Sequence, residues 1–143
     1  MSKPVYDHPA AAEAAFYAAF AAVDSAAMEK VWATEVELLC VHPGGSLLRG
    51  KKAVMQSWIE IFARSDPPEI EHRLIGHFES GNLAVHLVEE LIRPHGHSTS
   101  TPNRVLSTNV YVREAQSWCM AEHHASLPLV EHSDVNKVDR QLH

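Results

Sequence analysis

Cysteine is scarce: Cys40 and Cys119 are the only two among 143 residues. Both sit inside apolar runs, so they read as small buried side chains and not as a disulfide framework. Basic residues are few as well. Twelve Lys and Arg face 18 Asp and Glu, for a formal net charge of -6. That balance excludes the basic footprint of a nucleic-acid binder and works against an anionic membrane surface as partner. Long hydrophobic runs are missing too, and no apolar stretch reaches the ~20 residues a bilayer span requires. The opening MSKPVYDHPAAA lacks the basic stretch, apolar core and small-residue cleavage pattern of a signal peptide. The expectation is a cytoplasmic protein with neither nucleic acid nor membrane as partner.

What is present is ordinary, with one exception. The chain is 45% hydrophobic and 21% charged, as globular proteins are. Its length suits one domain over residues 1–143, large enough for a real core without disulfides or metals. Residues 8–128 carry the patterned part, and residues 129–143 form a polar tail expected to be loosely held. The exception is the eleven histidines. Histidine titrates near neutral pH and serves as acid, base and metal ligand.

Apolar spacing predicts a helix from Pro9 to Val23, along the stripe Ala12, Phe16, Ala19, Phe20 and Val23. Asp24 is placed to cap a second helix, with Ala27, Met28, Val31 and Trp32 on one face. Val36 to His42 reads as a strand ended by Pro43-Gly44-Gly45. A third helix runs from Lys51 to Arg64, with Val54, Trp58, Ile61 and Phe62 inward, and Pro67-Pro68 stops it. Strands follow at Ile70–Phe78, Leu83–Ile92, Arg104–Arg113 and Trp118–Ser126, the last two joined by the turn EAQS. Helices first and strands after predict an α+β fold, with three helices on one face of a strongly curved antiparallel sheet.

Phe16, Phe20, Asp24 and Trp32 lead a set of features whose order resembles a known family. VHPGG (41–45), RGKKAVMQSWIEIF (49–62), STNVYVRE (107–114) and SWCMAEHHASLP (117–128) complete it. The chain resembles the NTF2-like superfamily, within it the SnoaL-like branch. The resemblance implies a cone: a curved sheet wrapped around the third helix, with a pocket at the open end and a dimer through the outer sheet face. The superfamily holds ketosteroid isomerase, polyketide cyclases, dehydratases, binding proteins and oligomerisation modules. The closing strand also resembles the association domain of calcium/calmodulin-dependent kinases. The fold follows strongly from this and the function weakly.

Alternation places Val36, Leu38, Cys40 and His42 on one strand face, so His42 is either a pocket group or a histidine bonded to the following turn. His123 and His124 must face opposite ways. The resemblance implies His124 as the inward one, with a core histidine bonded to backbone as the other reading. Counting back from the turn sets Ser107 opposite His124, with Asn109 close by on the same face. Asn109 stands where the kinase association domains have a pocket arginine, and a buried amide there needs partners. Glu89 and Glu90 also face opposite ways. Whichever faces inward would titrate high and act as a base, or pair with a pocket histidine, with Glu89 taken as the candidate, whereas a solvated strand end is the commoner fate. Trp32, Trp58, Phe62 and Tyr111 line the core or the pocket. Asp24 reads as a helix cap and not as the base opposite a tyrosine that ketosteroid isomerase implies. No Ser-His-Asp order, phosphate loop or nucleotide fingerprint occurs. His95 and His97 lack a third zinc ligand, so neither a metal nor a cofactor is expected.

The reading is a small-molecule-binding protein in which His42, His124 and Glu89 move or orient a proton next to a carbonyl. Trp32, Trp58, Phe62, Asn109, Tyr111 and His123 would contact the ligand. The partners expected are a second copy of the chain and an unknown small organic ligand. The alternative is a non-catalytic oligomerisation or accessory module.

Overall fold

The computed structural model describes residues 3–129; the expected loose tail lies beyond them, apart from Leu129. Pro9 opens α1 (Pro9–Ala21) at a position where a missing N–H costs nothing. Asp24 caps α2 (Ser25–Val31), its Oδ1 accepting from the Ala27 N–H at 3.0 Å. A short β1 (Leu39–Val41) and a two-residue β2 (Leu48–Arg49) precede α3 (Lys51–Ala63). Four long strands follow: β3 (Glu69–Ser80), β4 (Leu83–Arg93), β5 (Asn103–Glu114) and β6 (Ser117–Ser126).

The strands form one sheet in the order β2-β1-β6-β5-β4-β3. The sheet is mixed, because β1 runs parallel to β6 while every other pair is antiparallel. Val36 lies outside β1 and is exposed, so the first strand is shorter than its apolar run suggested. The helix inside the curve also differs from expectation. α1 packs against both β6 and β3, strands far apart in the sheet, so the sheet curls around α1 and not mainly around α3.

Phe16, Met28, Val31, Trp32, Leu38, Val54, Trp58, Val88 and Met120 make the centre of the core, all essentially without exposure. Burying each large side chain of this kind contributes about 1.5–3 kcal/mol. Both cysteines are buried and free, and burial pushes the Cys40 thiol up to about 12, which leaves it an inert core group.

Two irregularities set which residues face inward. β3 breaks register between Leu74 and Gly76. In β6, Glu122 pairs with Val110 but Met120 pairs with Tyr111, so Ala121 is an extra residue. A bulge of this kind inverts the alternation beyond it.

Candidate functional site

At the open end of the cone, Phe20, Val23, Ile61, Phe62 and Ile92 line a cavity of about 400 Å³. Ser65, Asp66 and His95 give it a polar rim. Its apolar floor continues into Trp58, whose ring lies 5.1 Å from Phe20 and 5.5 Å from Phe62. Behind Trp58 sit two imidazoles, His42 at 4.8 Å and His123 at 5.9 Å between ring centres. Trp58 is buried, yet its indole N–H has no partner. An unpaired buried donor costs about 1–3 kcal/mol.

His42 follows β1, and its Nε2 lies 2.9 Å from Ser57 Oγ. Ser57 spends its own hydroxyl proton on the Val54 carbonyl at 2.6 Å. The serine oxygen is therefore the acceptor, so His42 carries its proton on Nε2 and leaves Nδ1 as a lone pair. Burial lowers the His42 pKa. This histidine opens on a second cavity of about 400 Å³ along α3. That cavity shares Ile61 and Ser65 with the mouth cavity; His42 lines it and not the mouth itself, so of its two expected places the structure gives a pocket group.

Deeper in the cone, five polar side chains form a continuous relay. Tyr17 on α1 donates to Glu90 Oε2 at 2.5 Å, and Ser107 donates to the same oxygen at 2.8 Å. Asn109 Nδ2 donates to the Tyr17 hydroxyl at 3.0 Å. Asn109 Oδ1 accepts from His123 Nδ1 at 2.6 Å. All five are buried. Burial raises the Glu90 pKa, against the opposing bonds from Tyr17 and Ser107. Burial, and then the neighbouring Glu90, holds the Tyr17 phenol far above its usual range, so it is a neutral donor. His123 is pushed down to about 3, first by burial and then by His42 and His124. It is thus a neutral hydrogen-bonding group at ordinary pH. The His72 ring stacks on Tyr17 at 4.4 Å from β3. A second buried pair, His86 and Glu13, closes the other end of the interior.

Several expected site residues fall elsewhere. His124 is exposed and His123 takes the inward place, because the Ala121 bulge puts His123 opposite Asn109 and Ala125 opposite Ser107. Asn109 and His123 do not flank an open site but bond each other. Glu89 lies on the outer face, where it accepts from Arg104 Nε at 2.6 Å and stands 3.7 Å from Arg73. It is Glu90 that points inward. Trp32 is core, its N–H on Met28 Sδ at 3.4 Å, and does not line the mouth cavity. Tyr111 is buried against His86 at 5.1 Å, its hydroxyl beside the Asn109 side chain but without a well-formed hydrogen bond. Phe62 does line the mouth. Among the described residues no cluster of His, Cys, Asp or Glu is placed to hold a metal. Nor is any helix there long and apolar enough to cross a membrane.

Tyr17, Glu90, Ser107, Glu13 and His86 were not picked out as site residues from the sequence. One signal was available: Glu13 and Tyr17 are four apart on α1, so they form a polar line beside the apolar stripe.

Residues 10–130 match the SnoaL-like domain family. The chain belongs to that family. No curated protein matches it in sequence. Solved structures similar to it include NTF2-like proteins. A structure from Thiobacillus denitrificans ATCC 25259, provisionally named a calcium/calmodulin-dependent protein kinase type II association domain, is 34% identical with a TM-score of 0.81. It covers 87% of this chain and 98% of that one. A provisionally named dehydratase of the NTF2-like family from Streptomyces avermitilis is 26% identical with a TM-score of 0.75, over 83% of this chain and 93% of that one. A provisionally named ketosteroid isomerase from Shewanella frigidimarina is 17% identical at a TM-score of 0.67, over 84% and 96%; that likeness is one of fold. The SnoaL-like domain thus carries the expected α+β cone, with the site's polar groups moved one residue along two of its strands.

Proposed function

We propose that this protein binds a small, largely apolar carbonyl compound that bridges the cone mouth and the adjoining cavity of His42, which share Ile61 and Ser65, and moves a proton next to its carbonyl. The observation that carries the reading is the unpartnered Trp58 N–H, buried between the mouth cavity and His42. A ligand carbonyl oxygen is the acceptor that N–H lacks, and the surrounding apolar wall would strengthen the bond. His42, half-buried with a free Nδ1 lone pair, is the proton carrier. It takes a proton from the carbon beside the carbonyl, and the charge left on oxygen is held by the indole N–H. Return of the proton to another carbon gives isomerisation; its delivery to a β-hydroxyl, whose C–O bond breaks so that water leaves, gives dehydration. The likeness to a protein provisionally named a dehydratase supports this class.

The test is a thermal-shift screen of wild type against small cyclic and aromatic ketones, then deuterium exchange of ligand protons followed by NMR. Trp58→Phe keeps the ring and removes the N–H, so the melting temperature should hold while affinity falls about tenfold, the loss of one buried hydrogen bond. His42→Gln should bind and fail to exchange. If no ketone stabilises wild type, the reading is wrong.

A second reading is assembly through the sheet, as a homodimer. It is favoured by the outer face of β3 to β5, where Phe78, Leu83 and Leu87 are exposed beside half-buried Val85 and Val110. An apolar face of this kind marks an interaction surface. The likeness to a provisionally named kinase association domain supports it too. The two readings use opposite faces of one sheet and are compatible.

A further inference from the structure

The four hydrogen bonds that join Ser107, Glu90, Tyr17, Asn109 and His123 have a direction, and one residue decides it. A carboxylate oxygen accepts, and Glu90 Oε2 accepts from both Tyr17 and Ser107. Tyr17 has a single proton, already spent on Glu90, so toward Asn109 it offers only a lone pair. Asn109 must then present its NH₂ to Tyr17 and its carbonyl to His123. Turning the amide around would set Asn109 Oδ1 against the tyrosine oxygen with no proton between them. An Asn109 carbonyl in turn requires a proton on His123 Nδ1, and a neutral imidazole then has none on Nε2. The same direction holds if Glu90 is protonated on Oε1, because Oε2 is still an acceptor; a proton on Oε2 aimed at Tyr17 would reverse the chain and give the Nε2–H form of His123.

We infer that Glu90 and Tyr17 are positioning residues, which fix His123 as the Nδ1–H tautomer and make its Nε2 a hydrogen-bond acceptor in the interior behind Trp58. His42 is fixed the opposite way by Ser57, with its proton on Nε2. The site therefore holds two imidazoles of opposite tautomer beside one indole. His123 stays an acceptor and not a proton carrier, because its burial opposes a charge. A ligand that reaches it must bring a hydroxyl or N–H donor. This last step rests on the proposed ligand site; the tautomer does not.

The experiment needs no ligand. The imidazole nitrogens of ¹⁵N-histidine-labelled protein are read by two-bond ¹H–¹⁵N NMR at neutral pH, with His123→Gln used to assign the signal. Wild type should show His123 Nδ1 protonated and Nε2 bare. Glu90→Gln should look the same, since its amide oxygen can take the place of Oε2. Tyr17→Phe and Glu90→Leu should each release the amide of Asn109 and bring up the Nε2–H form. A wild-type Nε2–H tautomer overturns the inference. So does a pure Nδ1–H form in Tyr17→Phe, which keeps its ring on Phe16 and so serves if Glu90→Leu fails to fold. A ketone screen that finds nothing leaves these signals untouched, so the two failures are told apart.

Discussion

His123 and Asn109 face each other across β6 and β5, and the imidazole Nδ1 lies 2.6 Å from the amide oxygen. Each is the other's nearest polar partner in an interior otherwise walled by Phe16 and Trp58. Removing one leaves the other's polar atom dry. Asn109→Leu and His123→Leu should each destabilise by about 1–3 kcal/mol, the cost of one stranded buried group. The double variant should cost less than the two single losses together, because neither member of the pair is then stranded and only the Asn109 bond to the Tyr17 hydroxyl stays lost. Urea melts of the four proteins measure this. Additive losses would mean that the pair is not one unit.

Acid should unfold the protein through His123. Its folded pKa of about 3 lies below its ordinary 6.5. Between those values the unfolded chain binds a proton that the folded chain refuses. Stability therefore rises with pH across that window and is lost as pH falls from 6.5 toward 3. The full loss is on the order of 5 kcal/mol. Glu90 acts with the opposite sign: its raised pKa makes the folded chain hold a proton longer, so its share of stability falls as pH rises past 4.5. His123→Gln keeps a donor for Asn109 and cannot titrate. Its melting temperature should fall less steeply than wild type between pH 6.5 and 4. Parallel curves would remove His123 from the acid transition.

The hairpin between β5 and β6 turns on Ala115 and Gln116, both left-handed at φ 48° and 65°. A two-residue hairpin loop with both centres there is the twist-matched kind that asparagine and glycine favour. Gln116 meets a Cβ clash there that glycine avoids. Gln116→Gly should raise stability by about 0.5–1 kcal/mol, read as a higher urea midpoint at constant m-value.

Leu87 stands 40% exposed on the outer sheet face. If two copies pair there, light scattering at micromolar concentration should give twice the chain mass. Leu87→Arg should then halve it while leaving far-ultraviolet circular dichroism unchanged. A monomeric wild type would end the assembly reading.

Much of the architecture was legible in the sequence. The Phe16–Phe20 and Val54–Trp58 stripes marked helices, Asp24 marked a cap, and EAQS marked a hairpin, because each is a local feature with a local physical cause. The inward set was harder. In β4 both faces are apolar, with Leu83, Val85 and Leu87 on one and Ala84 and Val88 on the other, so alternation offered no contrast to separate Glu89 from Glu90. In β6 the count from the turn held as far as Met120 and failed at Ala121, since an alanine gives no sign that it will bulge. The relay was out of reach for a third reason: Tyr17 and Glu90 are 73 residues apart, and only the curl of the sheet around α1 brings them together.

The extra residue at Ala121 is a dislocation in an otherwise regular lattice of strand pairs, and dislocations can glide. Moved to the far side of His124, it would turn Glu122 and His124 inward and His123 out. Glu122 would then carry its carboxylate to Asn109, into space with no cation to meet it, where an unpaired charge is very costly. The fault is pinned by that penalty. A glutamate on the outer face, touching nothing in the relay, thus holds the interior histidine in its seat.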